Sequence, residues 1–312
     1  MKKSVALIGG SGFIGTNLTN FFLSNNYSVI NVDKNPNRNI PTSTDYFVQR
    51  LLDVNKTSEL IDSVYDTDNI IWLVSDLIPS ASMDSLVDDF TFNINPLIKF
   101  LENGHLLKNL KKFVFISSGG AIYGDSANNY SFTESSPLNP VSAYGLSKLI
   151  AEKYIHFVNR NAHFSSVILR PSNVYGDYQN LIKPQGIVGV AFKAILDRKP
   201  IELYNGGMIV RDFIHVLDFA VAIKYCIEAE TKKAFVDTYN IGSNHGVSIV
   251  QILDMVNEIS KSKIETIIKP ARTVDCNYSV LDTTHIKKKL NWEPQIPLNE
   301  GLSSVWSWIQ KK

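Results

Sequence analysis

The chain has 312 residues, 44% hydrophobic and 20% charged, which is length enough for two domains or for one large α/β unit with an appended lobe. Its 31 basic and 30 acidic side chains leave a formal charge of +1 without a long basic block, so nucleic acid is excluded as a partner and any anionic ligand must be held by a few placed groups. No apolar run is long enough to cross a bilayer, and Cys226 and Cys276 lie far apart without metal-ligand spacing; the expectation is a cytoplasmic protein with no membrane partner, disulfide framework or metal site.

Ser4 to Ile8 is a short apolar run closed by glycines, and Phe13 to Leu23 repeats its apolar residues at helical spacing: strand, tight turn, helix. Met1-Lys2-Lys3 before an apolar stretch suggests a signal peptide, but Gly9, Gly10, Gly12 and Gly15 interrupt that stretch and no small-residue cleavage site is evident. The same segment satisfies G-x-x-G-x-x-G from Gly9 and G-x-G-x-x-G from Gly10. Such glycines permit the turn, let the backbone approach a pyrophosphate and allow close helix–strand packing, while the helix N-terminus favours the anion. Alone, the run is a weak signal. Val29 to Val32 is a second buried strand, ending at Asp33, where a carboxylate accepts hydrogen bonds from an adenosine ribose. A free 2′-hydroxyl, hence NAD, is the expectation; Lys34 and Arg38 keep NADP as its competitor, because a nearby cation accommodates a 2′-phosphate. Asp53 and Val54 follow a third apolar segment and are read against adenine, with a surface-loop carboxylate as the plain alternative.

Strands follow at Asn69 to Val74, Lys112 to Ser117 and Ser166 to Arg170, with helical patterns at Phe90 to Glu102 and Tyr144 to Asn159. This alternation predicts a parallel, doubly wound sheet with ligands at the carboxyl ends of its strands. Tyr144 and Lys148 form Tyr-x-x-x-Lys, whose spacing puts both side chains on one helical face. A cation beside a phenol stabilises the phenolate; an ordinary tyrosine titrates near ~10, so proton transfer near neutrality needs a downward shift at about 1.4 kcal/mol per unit. After Pro171 the texture changes to loops rich in Asn, Gly and Pro, with a helix near Ile187 to Leu196, a strand near Ile201 to Tyr204 and a helix near Leu217 to Ala229. Ser248 to Ser260 is an amphipathic helix with an N-cap at Ser248 and Gln251 three residues on. Without an obvious linker the second lobe should interleave with the first: 1–172 with 213–243 for the dinucleotide, 173–212 with 244–312 for the substrate.

Combined with the glycine turn and Tyr144/Lys148, further motifs make the chain resemble the extended short-chain dehydrogenase/reductase family, in its NAD-dependent epimerase/dehydratase branch. They are Phe92-Asn93-Ile94-Asn95, Ile116-Ser117-Ser118-Gly119-Gly120-Ala121-Ile122-Tyr123-Gly124, Leu169-Arg170-Pro171-Ser172-Asn173-Val174-Tyr175-Gly176 and Arg211-Asp212-Phe213-Ile214-His215-Val216, and the match spans nearly the whole chain. The resemblance implies a Rossmann-type sheet with a smaller interleaved C-terminal α/β lobe, and NAD as cofactor. It places Gly9, Gly12, Phe13, Ile14, Gly15, Asp33, Asp53 and Val54 around the cofactor, together with Leu73, Val74, Ser75, Asn93 and Ser117. Tyr144 is then the acid/base on a sugar hydroxyl, while Lys148 lowers its pKa and holds the nicotinamide ribose. The implied substrate is a UDP-linked nucleotide-diphosphate sugar touched by Asn173. Arg211 and Arg272, whose guanidinium forks suit diphosphate oxygens, take the diphosphate. Asp275 lies near the ribose, and Asn180, Leu203 and Tyr204 around the base. The family also implies a homodimer through two helices per subunit.

One departure matters. Counting back from Tyr123-Gly124, the family's usual catalytic Ser or Thr position is Gly119, which has no hydroxyl. Ser118 is the first substitute, with a bound water or Tyr144 acting directly as alternatives, and a structural Ser118 bonded to backbone as the plain reading. Gly120-Ala121 stand where the branch's dehydratases need an Asp-Glu pair, which disfavours dehydration and leaves reversible oxidation of a hydroxyl, rotation of the keto sugar and return of hydride to its other face. Ser279, small where some members carry a bulky tyrosine, predicts room for an N-acetylated sugar. The expectation is therefore an NAD-dependent UDP-hexose or UDP-N-acetylhexosamine 4-epimerase of carbohydrate metabolism or polysaccharide biosynthesis, working through a transient 4-keto sugar. Another nucleotide-sugar oxidoreductase or dehydratase, or a non-catalytic NAD-binding regulator that lost the relay at Gly119, are the alternatives. His215, in an apolar context, reads as structural, and Glu134, Trp306 and Trp308 as loop and packing residues.

Overall fold

The computed structural model describes residues 2–40, 45–75, 86–126, 128–182, 185–271 and 276–311. β1 (Ser4–Ile8) runs through the glycine turn into α1 (Phe13–Ser24), followed by β2 (Ser28–Asp33), β3 (Phe47–Leu51), α2 (Thr57–Ser63) and β4 (Asn69–Trp72). The short α3 (Leu86–Asp89) continues through a π-helical turn, Phe90–Ile94, into α4 (Asn95–Glu102). Then come β5 (Lys112–Ile116), the single turn α5 (Gly119–Ile122), the long α6 (Ala143–Asn159) and β6 (Ser165–Pro171). The chain leaves this unit for β7 (Asn173–Tyr175), α7 (Gly186–Asp197), β8 (Ile201–Tyr204) and β9 (Val210–His215), returns with α8 (Val216–Glu228) and β10 (Val236–Ile241), and leaves again. The remaining elements are β11 (Gly246–Ser248), α9 (Ile249–Ser260), β12 (Thr266–Lys269), β13 (Tyr278–Ser279), α10 (Thr284–Leu290) and α11 (Leu298–Ile309).

Seven strands form one parallel sheet in the order β10-β6-β5-β4-β1-β2-β3. A parallel sheet buries both faces, and β1 supplies each with alternate residues. Val5 and Leu7 join Leu18 and Phe22 of α1 and Phe219 and Ile223 of α8 in one core; Ala6 and Ile8 join Leu60 of α2, Leu97 and Phe100 of α4 and Ile155 of α6 in the other. Each large apolar side chain so buried contributes about 1.5–3 kcal/mol before chain entropy is counted. Strand order reverses between β1 and β4, and a crevice opens at such a reversal, beyond the carboxyl ends of the strands.

β10 is a strand that sequence reading missed. Its Asp237, Thr238 and Asn240 break the apolar run, but Asp237 accepts the Tyr239 hydroxyl at 2.6 Å, and Asn240 accepts from the Tyr123 hydroxyl at 2.7 Å and donates to Phe132 O at 2.7 Å. Partners from within the strand and from a distant loop thus make a polar sequence compatible with a sheet edge.

The second lobe has its own core, in which Phe192 of α7, Ile252 and Val256 of α9 and Leu302 and Val305 of α11 are buried together; Trp306 stacks on Phe192 with centroids 5.5 Å apart, as a packing residue should. β9 lies between β11 and β13 and also pairs with β7, while β8 pairs with β12. The cap expected at Ser248 is present in full, Ser248 Oγ accepting from Gln251 N–H and the Gln251 side chain accepting from Ser248 N–H. Among the described residues no helix is long and apolar enough to cross a membrane.

Candidate active site

The glycine turn is shaped by close approach. Gly9 sits at φ 82°, in the left-handed region, and a Cβ there would come within 3.0 Å of Val74 N. Gly12, the N-cap of α1, faces open space: a Cβ on it meets nothing within 4 Å. The first turn of α1 carries no acidic side chain, so its free N–H groups and dipole are left for an anion. Asp33 braces this turn from β2, accepting from Ser11 N–H at 3.0 Å and Asn35 N–H at 2.9 Å, and Asn37 Nδ2 ties the following loop to Thr16 Oγ1 at 3.0 Å. A carboxylate has further lone pairs, so bracing the turn and meeting a ribose are compatible.

These residues open onto a cleft of about 480 Å³ whose wall includes Gly9, Gly12, Phe13, Ile14, Gly15, Asp33, Asp53, Val54, Leu73, Val74, Ser75, Ser117, Tyr144 and Lys148. Sequence reading named every one of them. The wall also holds Ser11 of the glycine turn, Lys34, weighed above against a 2′-phosphate, and Phe92 of a quoted motif, and the structure adds Asn35 and Gln185; Gln185 lies far along the chain in no motif, and nothing in the sequence singles it out. Asp53 is held below the ordinary carboxylate range by the Asn55 N–H it accepts, against a smaller effect of burial. A helix N-terminus with an open Gly12 before it, carboxylates at one part of the wall and a Tyr–Lys pair at another fit an extended dinucleotide.

Tyr144 and Lys148 stand one turn apart on α6, whose start is fixed by Ser142 Oγ accepting from Gly145 N–H at 3.1 Å. The Tyr144 hydroxyl is hydrogen-bonded to the Ser118 side chain. Burial pushes the phenol's pKa up, the Ser118 bond opposes this and the Asp89 charge adds to it. The downward shift expected from Lys148 is therefore not what this pocket imposes: the ammonium lies 5.6 Å from the Tyr144 ring centroid, and desolvation dominates. Lys148 itself is brought down to about 8 by burial, against the charges of Asp89 and Glu152, and donates to Ile116 O at 3.0 Å.

Gly119 has a steric cause. A Cβ there would lie 2.5 Å from Leu281 Cδ1 and 2.9 Å from Arg170 O, so position 119 faces packed structure, while its neighbour Ser118 directs its hydroxyl to Tyr144. Ser117 lines the cleft, but its hydroxyl is committed to Glu152 Oε1 at 2.6 Å. Glu152, one turn beyond Lys148 on α6, also takes Arg170 Nε at 3.0 Å and Nη2 at 2.6 Å, a buried ion pair. Asn93, on the π-helical turn, is absent from the wall of the large cleft but lines a small cavity with Tyr144 and Lys148, and it donates to Asp89 Oδ1 at 2.8 Å. Asp89 is a site neighbour that sequence reading missed; its signal was the four-residue spacing to Asn93 in a helical run.

In the second lobe, Asn173 Nδ2 donates to Asp212 O at 2.9 Å and lies 4.0 Å from where a Cβ on Gly120 would stand, so it looks across at the Ser118 turn. Asn180 is exposed, the Tyr204 hydroxyl donates to Glu202 at 2.9 Å, and Arg211 is half-buried, with Nη1 on Val210 O at 2.9 Å. Leu203 packs its side chain into the lobe's core, which leaves its backbone for a ligand, and Ser279 is 3% exposed in β13, opposite Arg211, so its small size does not by itself open room for a sugar substituent. Arg272 and Asp275 lie outside the described residues. His215 is structural as expected: Nδ1 accepts from Leu217 N–H at 3.3 Å to cap α8, and burial lowers its pKa. Glu134 is likewise structural, accepting from Asn240 N–H at 2.8 Å.

Residues 5–242 match the model of the NAD dependent epimerase/dehydratase family. A relative described as a putative UDP-glucose 4-epimerase, from Methanocaldococcus jannaschii, is 30% identical over 98% of both chains. A dTDP-4-dehydro-6-deoxyglucose reductase of Escherichia coli is 26% identical over 100% of this chain and 99% of its own. Among solved structures, a UDP-glucose 4-epimerase of Thermotoga maritima with UDP-glucose superposes with a TM-score of 0.90 at 28% identity, covering 99% of each chain.

Proposed function

The chain belongs to the NAD-dependent epimerase/dehydratase family, and from that premise we propose that it is a UDP-sugar 4-epimerase acting through Tyr144, Lys148 and Ser118. The observation that carries this reading is the hydrogen-bonded Ser118–Tyr144 pair, with Lys148 one turn on, in a cleft shared with the dinucleotide turn. NAD, when bound, supplies reversible hydride exchange with the sugar carbon. Residues 1–172 with 213–243 hold it, and 173–212 with 244–312 hold the nucleotide sugar.

The protein's own work is on the proton. Tyr144 takes the proton of the C4 hydroxyl, Ser118 shares the resulting charge through its hydrogen bond, and the Lys148 ammonium offsets it across the ring. Because burial holds the phenol high, positive charge is what makes this step accessible near neutrality. The keto sugar turns and Tyr144 returns the proton, so no net redox change results. Gly120 and Ala121 offer no acid or base to the neighbouring carbons, which favours epimerisation over dehydration. Asn173, Arg211 and Arg272 are assigned to the sugar and diphosphate, Asp275 to the ribose, and Asn180, Tyr204 and the Leu203 backbone to the base. The exposed Leu146, Tyr154 and Phe157 of α6 support a homodimer in which this helix packs against a second copy.

The test is incubation with NAD⁺ and UDP-glucose, UDP-N-acetylglucosamine or their galacto epimers, with products resolved chromatographically. Interconversion without accumulating NADH is expected; stoichiometric NADH, or a dehydrated product, would replace this reading with another chemistry of the family.

A further inference from the structure

The end of β5 and one face of α6 are joined residue by residue. Tyr144, Lys148 and Glu152 recur at a spacing of four, so they stand in line along the helix. Opposite them, the Ile116 carbonyl accepts from Lys148 Nζ at 3.0 Å, the Ser117 hydroxyl donates to Glu152 Oε1 at 2.6 Å, and the Ser118 side chain is hydrogen-bonded to the Tyr144 hydroxyl. Ser117 still follows the sheet, its N–H donating to Leu169 O at 2.8 Å, and so continues the alternation of Phe113 and Phe115. Those two rings share a core with Ala151 and Ile155 of α6, so the Ser117 hydroxyl and the Glu152 carboxylate meet within an otherwise apolar contact of helix and sheet. Ser117 is 2% exposed and Glu152 1%.

A carboxylate at that depth needs a cation. Arg170 of β6 supplies it with two bonds, Nε to Oε1 at 3.0 Å and Nη2 to Oε2 at 2.6 Å. The guanidinium is itself held from its other side, Nη1 donating to the Tyr123 hydroxyl at 2.8 Å and to Glu134 O at 3.2 Å, while Tyr123 donates to Asn240 Oδ1 at 2.7 Å. Stability alone does not account for this assembly, because apolar side chains of the same volume commonly serve as well as a buried ion pair. A planar fork whose bonds are all fixed does something apolar packing does not: it defines one geometry. Here that geometry ends at Ser117, next to Ser118.

We propose that Glu152, acting through Ser117, is a positioning residue that fixes the rotation of α6 on β5 and so sets the meeting of the Tyr144 and Ser118 hydroxyls. Ser117 adjoins Ser118, and Glu152 lies two turns from Tyr144 on one helix, so the Ser117–Glu152 bond closes a ring around the reacting pair. A small rotation of α6 would part Tyr144 from Ser118, and the same rotation would break the Ser117–Glu152 bond. The consequence for turnover rests on the proposed roles of Tyr144 and Ser118; the geometry does not.

Tyrosine labelled with carbon-13 at Cζ reports the surroundings of each phenol by NMR, and Tyr144→Phe identifies the Tyr144 line. Ser117→Ala keeps both Arg170–Glu152 bonds and removes only the link to the strand. In this variant the Tyr144 line is expected to move while that of Tyr204, in the second lobe, stays, and kcat is expected to fall roughly 10- to 100-fold with KM for UDP-glucose little changed. A merely structural Ser117 would lower the melting temperature and leave the Tyr144 line in place, and that result overturns the proposal. If Ser117→Ala does not fold, Ser117→Cys keeps the shape with a weaker donor and must move the line in part; an unmoved line there overturns the proposal equally. A moved line in a protein whose native form shows no epimerase activity would count against the proposed function and leave the positioning role standing.

Discussion

At residue 119 the missing hydroxyl is a matter of space. Leu281 and the Arg170 carbonyl occupy the volume a side chain would take, and the hydroxyl that meets Tyr144 comes from Ser118. Gly119→Ser should therefore add no catalytic group and should destabilise the fold by about 1–3 kcal/mol, visible as a lower urea midpoint. Tyr144→Phe should lower kcat by roughly 10²- to 10⁴-fold while NAD binding by fluorescence is kept. Ser118→Ala should cost roughly 10- to 100-fold, the worth of one hydrogen bond to an ionising group, and a Ser118→Ala enzyme with native kcat would return the residue to a structural role. Legibility at this scale follows locality. The glycines, Asp33, Tyr144 and Lys148 act through short spacings on one strand or helix, and sequence carries those. For Asn93, Leu203 and Ser279 a motif gives the position along the chain but not the direction of the side chain. Asp89 belongs to no motif, and only its four-residue spacing to Asn93, which donates to it at 2.8 Å, ties it to the site.

Among the elements, those with strong periodicity or capping signals were readable. α9 is the clear case: Ser248 and Gln251 satisfy one another's backbone groups, and the apolar face behind them packs on α11. Ser248→Ala should destabilise the protein by about 1 kcal/mol without altering the dinucleotide cleft, to be checked by denaturant melts alongside NAD affinity. β10 was not readable, because its fitness for the sheet edge resides in Glu134, Tyr123 and Phe132, which meet its polar side and main chain from a distant loop. The same long-range dependence explains why the alternation of elements fades after Pro171, where the chain passes repeatedly between two cores.

Across the whole molecule, the start of the chain is tied to α8 through Glu228, which accepts from Lys3 at 3.1 Å, from the Tyr27 hydroxyl at 2.8 Å and from Lys224 at 2.6 Å. Burial opposes ionisation, but these donors outweigh it and bring the carboxyl from 4.5 down to about 2. A depressed folded-state pKa stabilises above the unfolded value, and that contribution is lost as pH falls from 4.5 towards 2. Glu228→Gln should thus narrow the gap in melting temperature between neutral pH and pH 3, with salt weakening the effect because the group is partly exposed. In the proposed reaction the two lobes present the C4 hydroxyl of the sugar to Tyr144, while the hydrogen on C4 would pass to NAD and return to the same carbon. That claim is tested most directly with UDP-glucose deuterated at C4, equilibrated in ordinary water with the enzyme and unlabelled NAD⁺. Deuterium retained at C4 in both epimers is the predicted result; loss of the label to solvent, or its transfer to another carbon, would contradict the mechanism.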